Sequence, residues 1–494
     1  MLPGCTSMDY GFFEDDLEFS DQNFVVTDAS ITDNFSRVSK VEKDKYTSIV
    51  RSWIGQPKRN SLKCNLITFE NRNFNADRGA DVGVDQIASQ ALCELVFEKI
   101  FSASRVAEVS CDLISTNEQS LGDWLDKRTP SAYKGLVAAL DRFFLSTEFM
   151  TSYRLMVKSD CKPKLDDTPL SKYVTGQNIV YHDKCITAMF SHVFMQTVER
   201  MKFAASEKVL FYHGMDPAEL GKIVYKRLGD ISKYYVYELD ISKYDKSQAG
   251  LMKQVEEKVL RVLGVDANIL EAFFCGEYDS AVSMRNRELM VTVGSQRRSG
   301  GANTWLGNTV VLATIMSVLL REQEFDLLLL CGDDSLIFSS TPLNLDTSII
   351  SRNYGFDVKL YQQTVPYFCS KFFVQCKDAL HFVPDPLKLF VKLGASKESS
   401  LSLLHENFMS FVDVTKEIVG EEVVKNLSDL VTRKYGFSTY TYSSICCIHV
   451  IRSNFNQFCR LYYGGKNCRY IMPNMTDERP LLMKVFMFYK YRRR

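Results

Sequence analysis

Short apolar runs alternate with helical periods through the middle of the chain. YYVYELDI at 234–241 is rich in aromatic and β-branched residues and predicts a buried strand. MKQVEEKVLRVL at 252–263 follows with the period of an amphipathic helix. ANTWLGNTVVLATIMSVLL at 302–320 is almost entirely apolar and opens after a Ser-Gly-Gly turn, which predicts a long buried helix. DLLLL and SLIFSS flank Cys331-Gly332-Asp333-Asp334, and two strands so closely joined predict a hairpin. There is no internal repeat and no low-complexity segment. The longest uncharged apolar run, VVLATIMSVLL at 310–320, is too short for a membrane span.

Composition narrows the class. The chain has 494 residues, 46% of them hydrophobic and 24% charged, with 25 Gly and 12 Pro, enough apolar content for a sizeable core. At about 150 residues per domain this length predicts about three subdomains. The 14 cysteines lack a Cys-x-x-Cys pair. With no basic or apolar leader in MLPGCTSMDYGFFEDD, they predict reduced thiols in a cytoplasmic setting. Cys446, Cys447, Cys459 and Cys468 fit no zinc-finger spacing and predict core thiols.

Net charge is zero, which by itself argues against a nucleic-acid partner, but the charge is unevenly spread. Residues 1–36 hold eight acids and no lysine or arginine; the rest of the chain has 60 basic and 52 acidic groups. The acidic segment predicts a mobile arm or interaction tail. FYKYRRR at the other end interleaves basic and aromatic residues, which suits either RNA phosphates or a solvated tail.

Two adjacent carboxylates between buried strands need a positive partner. Held out at a hairpin tip they suit Mg²⁺, which keeps several waters and takes one or two carboxylates plus substrate phosphates. A two-metal phosphoryl-transfer site requires a further carboxylate from another element. Asp240, where the 234–241 strand gives way to a turn, is the candidate, with a strand-ending cap as the alternative. A third element is QRRSGGANTWLGNT, where glycines permit a tight turn. Thr304 and Asn308, four apart, share a helix face and supply a hydroxyl and an amide able to recognise a sugar hydroxyl.

The order DISKYDKSQ, SGGANTWLGNT, GDDSLIF resembles the RNA-dependent RNA polymerases of positive-strand RNA viruses in the alphavirus-like supergroup, and most of all those of closteroviruses. The resemblance covers about residues 150–395. It implies an α+β right-hand polymerase of fingers, palm (an antiparallel sheet flanked by helices) and thumb. The acidic arm would occupy 1–36, an extension and the fingers 37–233, the palm 234–375 with an inserted fingers segment near 249–295, and the thumb 376–494. Asp240 and Asp333 would bind Mg²⁺ (or Mn²⁺), with Asp334 in support. Asp245 would engage the ribose of the incoming nucleotide, directly or through Asn308, while Ser299, Gly300 and Thr304 shape the pocket.

MVKSDCKPKL resembles the basic finger motif over the triphosphate, with Lys158, Lys162 and Lys164 at its cations and Lys184 further on. Fixed cations there would offset the triphosphate charge; a solvated loop is the alternative. Lys359 in YGFDVKL occupies the place of the lysine that protonates pyrophosphate, or is a strand-edge lysine. Lys371 in YFCSKFFV would steady the nascent 3′ end, and Arg297 and Arg298 are expected against RNA. The implied partners are template and nascent RNA, NTPs, and viral helicase and methyltransferase proteins. The implied setting is the host cytoplasm, with membranes reached only through those partners. A reverse transcriptase or a catalytically silent RNA-binding subunit are the alternatives.

Overall fold

The leucine run before Cys331 and the apolar run after Asp334 are strands, and both of their faces are covered. The computed structural model describes residues 29–31, 62–73, 82–141, 146–158, 176–284, 289–394 and 401–463. Its strands, numbered in chain order, form three sheets. The central one runs β10 (Asp357–Gln363), β5 (Tyr235–Ser242), β9 (Asp334–Ser339), β8 (Leu327–Cys331), β4 (Val209–Phe211), antiparallel except where β4 lies parallel to β8. Leu328, Leu330 and Ile337 point into one core, and Leu327, Leu329, Leu336 and Phe338 into another. Burial on both sides explains why these strands are continuously apolar instead of alternating.

The first core is helical. Helices Lys184–Ala204, Gly250–Val262, Ala267–Tyr278 and Thr304–Leu319 bring their apolar faces onto the sheet, together with Tyr237, Leu239 and Ile241 of β5. Thr304–Leu319 is buried almost all round. Its hydroxyls are satisfied internally: Thr314 donates to the Val310 carbonyl at 2.9 Å and Ser317 to that of Ala313 at 2.8 Å. The second core lies under helix Pro217–Leu228 and the third sheet, β11 (Tyr367–Phe368), β12 (Lys371–Gln375), β13 (Leu380–Pro384). Phe373 of β12 faces that core. Phe372 and Val374 face a further one, formed with the helices between Pro386 and Tyr463. The boundary expected at 375 therefore falls inside the β12–β13 hairpin.

The remaining sheet runs β1 (Ala29–Ile31), β7 (Leu289–Val293), β6 (Ser280–Met284), β2 (Ser152–Val157), β3 (Asn178–Tyr181). Residues 29–31, within the segment expected to be a mobile arm, pair as an edge strand with Leu289–Val291. The three elements predicted around the site appear as β5, the β8–β9 hairpin and helix Thr304–Leu319. Among the described residues no helix is long and apolar enough to cross a membrane.

Gly307 marks the tightest approach in this packing. A Cβ there would collide with the carboxylate of Glu256 and the guanidinium of Arg297, both fully buried. Gly307→Ala should therefore destabilise the fold by about 2 kcal/mol or more, read as a lower denaturant midpoint at unchanged m-value. An unchanged midpoint would show that this contact has slack.

Candidate active site

At the hairpin tip the apolar cover ends. β8 and β9 are joined by Gly332 and Asp333, with Cys331 paired to Asp334. Gly332 has φ +62° at the first loop position, the left-handed conformation of a type II′ turn that glycine adopts without strain. The turn is tied to the long helix. The Gly332 N–H donates to Thr309 Oγ1 at 3.0 Å, and Thr309 donates to the Trp305 carbonyl at 2.7 Å. Trp305 Nε1 donates to the Cys331 sulfur at 3.4 Å. From this fixed turn Asp333 and Asp334 project into solvent.

Asp240, also exposed, lies on β5, with Lys359 of β10 as its cross-strand partner. On its other side β5 pairs with β9 through Tyr237 and Ile337. That pairing ends at Tyr237 and Ile337, and beyond it Asp240 and Asp334 both act on Glu238. Strand alternation puts Glu238 on the same face as Asp240. Burial pushes the Glu238 carboxyl up; Lys434 opposes the rise, and the charges of Asp334 and Asp240 add to it. Glu238 is thus a fourth carboxylate of the cluster, missed in the sequence although it stands two residues before Asp240. Among the described residues no group of three or more His, Cys, Asp or Glu side chains is placed to hold a metal ion by itself. Exposed carboxylate oxygens on an open tip fit instead a hard cation that keeps waters and shares substrate phosphates.

Beside the tip sits a polar pair. Asp245 lies in the short helix Tyr244–Ser247, and Asn308 Nδ2 donates to its Oδ1 at 3.0 Å. Burial raises the Asp245 carboxyl; the Asn308 amide and Arg297 act against that rise, and the nearby Asp333 charge adds to it. The Tyr244 hydroxyl donates to the Asn308 carbonyl at 2.8 Å. The expected pocket residues before Asn308 have supporting roles here. Ser299 Oγ donates to the Asn178 carbonyl at 3.2 Å and accepts from the Val180 N–H at 3.3 Å. A Cβ on Gly300 would come within 2.8 Å of Ile179 and Tyr181, so glycine is what lets this loop lie against β3. Thr304 Oγ1 lies 2.8 Å from the Gly301 carbonyl and 3.0 Å from that of Arg298, its proton held by the helix entry.

The basic residues divide. Arg297 and Arg298 do not meet RNA as expected: both are fully buried. Arg297 binds Glu256 at 2.5 Å, and the Arg298 guanidinium donates to the carbonyls of Val293, Gly294 and Gln296. Both satisfy the interior of the motif loop, and an isolated buried charge would be costly without such partners. Lys371 is partly buried, its Nζ donating to the Cys369 carbonyl at 3.3 Å and lying 5.4 Å from the Phe382 ring. Lys158 follows directly on β2, its backbone N–H bonded to the Gln177 carbonyl at 2.7 Å. Lys184 opens its helix exposed. Lys162 and Lys164 lie outside the described residues.

The structure thus brings Asp240, Asp333, Asp334, Glu238 and Lys359 to one edge of the central sheet, with Asp245 and Asn308 alongside. The family model described as RNA dependent RNA polymerase matches residues 19–461. The replicase polyprotein 1ab of Grapevine leafroll-associated virus 3 (isolate United States/NY1) is 58% identical over 94% of the chain, and that of Beet yellows virus (isolate Ukraine) is 36% identical over 94%. The replicase large subunit of Odontoglossum ringspot virus (isolate Korean Cy) is 27% identical over 95% of the chain. The chain spans 17%, 15% and 29% of these three relatives respectively. The likeness is strongest to closterovirus replicases. With carboxylates gathered on one strand pair and a family match over most of its length, the chain belongs to the RNA dependent RNA polymerase family.

Proposed function

We propose that the chain performs template-directed RNA synthesis within a closterovirus-type replicase, copying a positive-strand RNA genome. The observation that carries this is that Asp240 and the Asp333–Asp334 turn lie toward the same end of strands β5, β9 and β8, with Asp240 and Asp334 both acting on Glu238. On this reading the central sheet is the palm, and the sheet containing β2, β3, β6 and β7 belongs to the fingers. The helices after Pro384 form the thumb.

Asp240 and Asp333 would hold Mg²⁺ or Mn²⁺, with Asp334 in support. Bound there, the metal would acidify the primer 3′-hydroxyl and stabilise the departing pyrophosphate. The chain's own residues do the rest. The Asp245–Asn308 pair faces the sugar of the incoming NTP, Lys158 contributes positive charge toward its triphosphate, and Lys359, across from Asp240, is positioned to supply a proton to pyrophosphate. Lys162 and Lys164 share the role of Lys158 on the resemblance alone. On the resemblance, helicase and methyltransferase proteins would be its partners in the same replicase. The site of action would be the host cytoplasm, with membranes engaged through those partners.

A reverse transcriptase shares the carboxylate arrangement but would bar the ribose hydroxyl with a bulky side chain. Asp245 and Asn308 offer it hydrogen bonds instead. Primer extension with purified protein, comparing NTPs with dNTPs on an RNA template, tests the reading; absence of synthesis, or a preference for dNTPs, would reject it.

Asp333→Asn keeps shape and removes a charge, so the rate of RNA synthesis should fall by at least several hundred-fold while RNA affinity by filter binding is retained. Turnover close to wild type would sink the metal-binding role of the hairpin. Lys158→Ala removes a cation from a site of concentrated negative charge, so its rate deficit should be greatest at low NTP concentration. Identical NTP dependence in mutant and wild type would return Lys158 to a solvated strand end.

A further inference from the structure

An asparagine amide can present either its oxygen or its nitrogen, and the two choices recognise opposite partners. At Asn308, only 8% exposed, the choice is made by its neighbours. Its Oδ1 accepts from Gln248 Nε2 at 2.8 Å and from Arg297 Nε at 3.0 Å. Gln248 is itself fixed, because its Oε1 accepts from the same Arg297 Nε at 3.1 Å. Arginine can only donate. The polarity of the chain therefore propagates outward from Arg297: it orients Gln248, both orient Asn308, and Asn308 then turns its nitrogen to Asp245. One Nδ2 hydrogen goes to Asp245 Oδ1, leaving the second for a ligand oxygen.

Arg297 is held by an interior charge cluster. It pairs with Glu256 at 2.5 Å and with Glu277 at 3.5 Å; Lys253 pairs with Glu277 at 2.5 Å and with Glu256 at 3.5 Å. All four side chains have no solvent exposure. Two cations balance two carboxylates, and Asn303 Nδ2 adds a bond to Glu256 Oε1 at 2.7 Å. Such a cluster is weak as a source of stability but strong as a source of geometry.

We propose that Gln248 and Arg297 are positioning residues that lock the Asn308 amide with its nitrogen toward the incoming sugar, and so set the preference for ribose over deoxyribose. This rests on the polymerase reading above. With the amide locked, Asn308 donates to a ribose hydroxyl and Asp245 accepts from it; deoxyribose leaves both groups without a partner. A flipped amide would set its oxygen against Asp245 and its nitrogen against two donors, which is the state the lock excludes.

The test is single-nucleotide incorporation by wild type, Gln248→Met and Arg297→Lys, with NTP and dNTP, alongside thermal melting. Gln248→Met keeps volume and removes one donor to Asn308. Arg297→Lys keeps the charge facing Glu256 and removes the Nε donor. In each variant the NTP/dNTP ratio of kcat/KM should drop by about three- to tenfold, the loss falling on NTPs while dNTP use stays near wild type. A folded variant that loses rate on both nucleotides alike, with the ratio intact, overturns the lock. If Arg297→Lys melts below the assay temperature, Gln248→Met decides alone, because it leaves all four charges in place and among them loses only the contact with Arg297 Nε. A wild-type protein that does not prefer NTPs overturns the polymerase reading itself, and that outcome is visible before any variant is compared.

Discussion

Like charges at a turn repel, and the fold is organised around keeping Asp333 and Asp334 close in spite of it. The restraint is mechanical. β8 and β9 are gripped between two apolar layers, so the hairpin cannot splay without exposing Leu327–Leu330 and Leu336–Phe338. The tip is pinned by the Gly332 N–H to Thr309 and by Trp305 to Cys331, both from one helix. What projects from the end of this clamp is the exposed carboxylates of Asp333 and Asp334. A cation bound there, as the proposed function requires, would relieve the repulsion.

The elements of this clamp were legible because each carries a one-dimensional signal. Two-sided burial writes continuous apolar runs, as in LLLL and LIF, and a buried helix writes the apolar stretch from Val310 to Leu320. Asp240 was readable from its place at the end of an apolar strand. What the sequence hid depends on partners far along the chain. Arg297 and Arg298 sit in a motif that approaches RNA in the proposed function, so basic character suggested a surface; only the position of Glu256 and Glu277 in space shows that Arg297 is an interior ion. Those two acids occupy helices whose pattern reads as ordinary polar faces. Glu238 was missed because alternation along β5 identifies a face without saying which charges meet on it. The boundary at 375 was misplaced because Phe372 and Phe373 point to different cores, a fact that no local periodicity contains.

The two halves of the site handle charge in opposite ways. At the hairpin the acids are exposed and adjustable, in reach of whatever cation and phosphate arrive. Around Asn308 the ions are buried and mutually balanced, so they exert little net field but leave no freedom of orientation. Mobile counter-ions suit chemistry in which charge moves; fixed dipoles suit recognition, where a group must point one way before the ligand arrives. Helix Thr304–Leu319 serves both halves: Thr309 pins the hairpin turn, and Asn308, one residue earlier, bonds Asp245. Adjacent residues on a helix are about 100° apart, so one rigid element braces the hairpin with one side and presents its amide with the next. Displacing that helix would disturb the turn and the Asn308–Asp245 bond together, and the close contact at Gly307 lies on it.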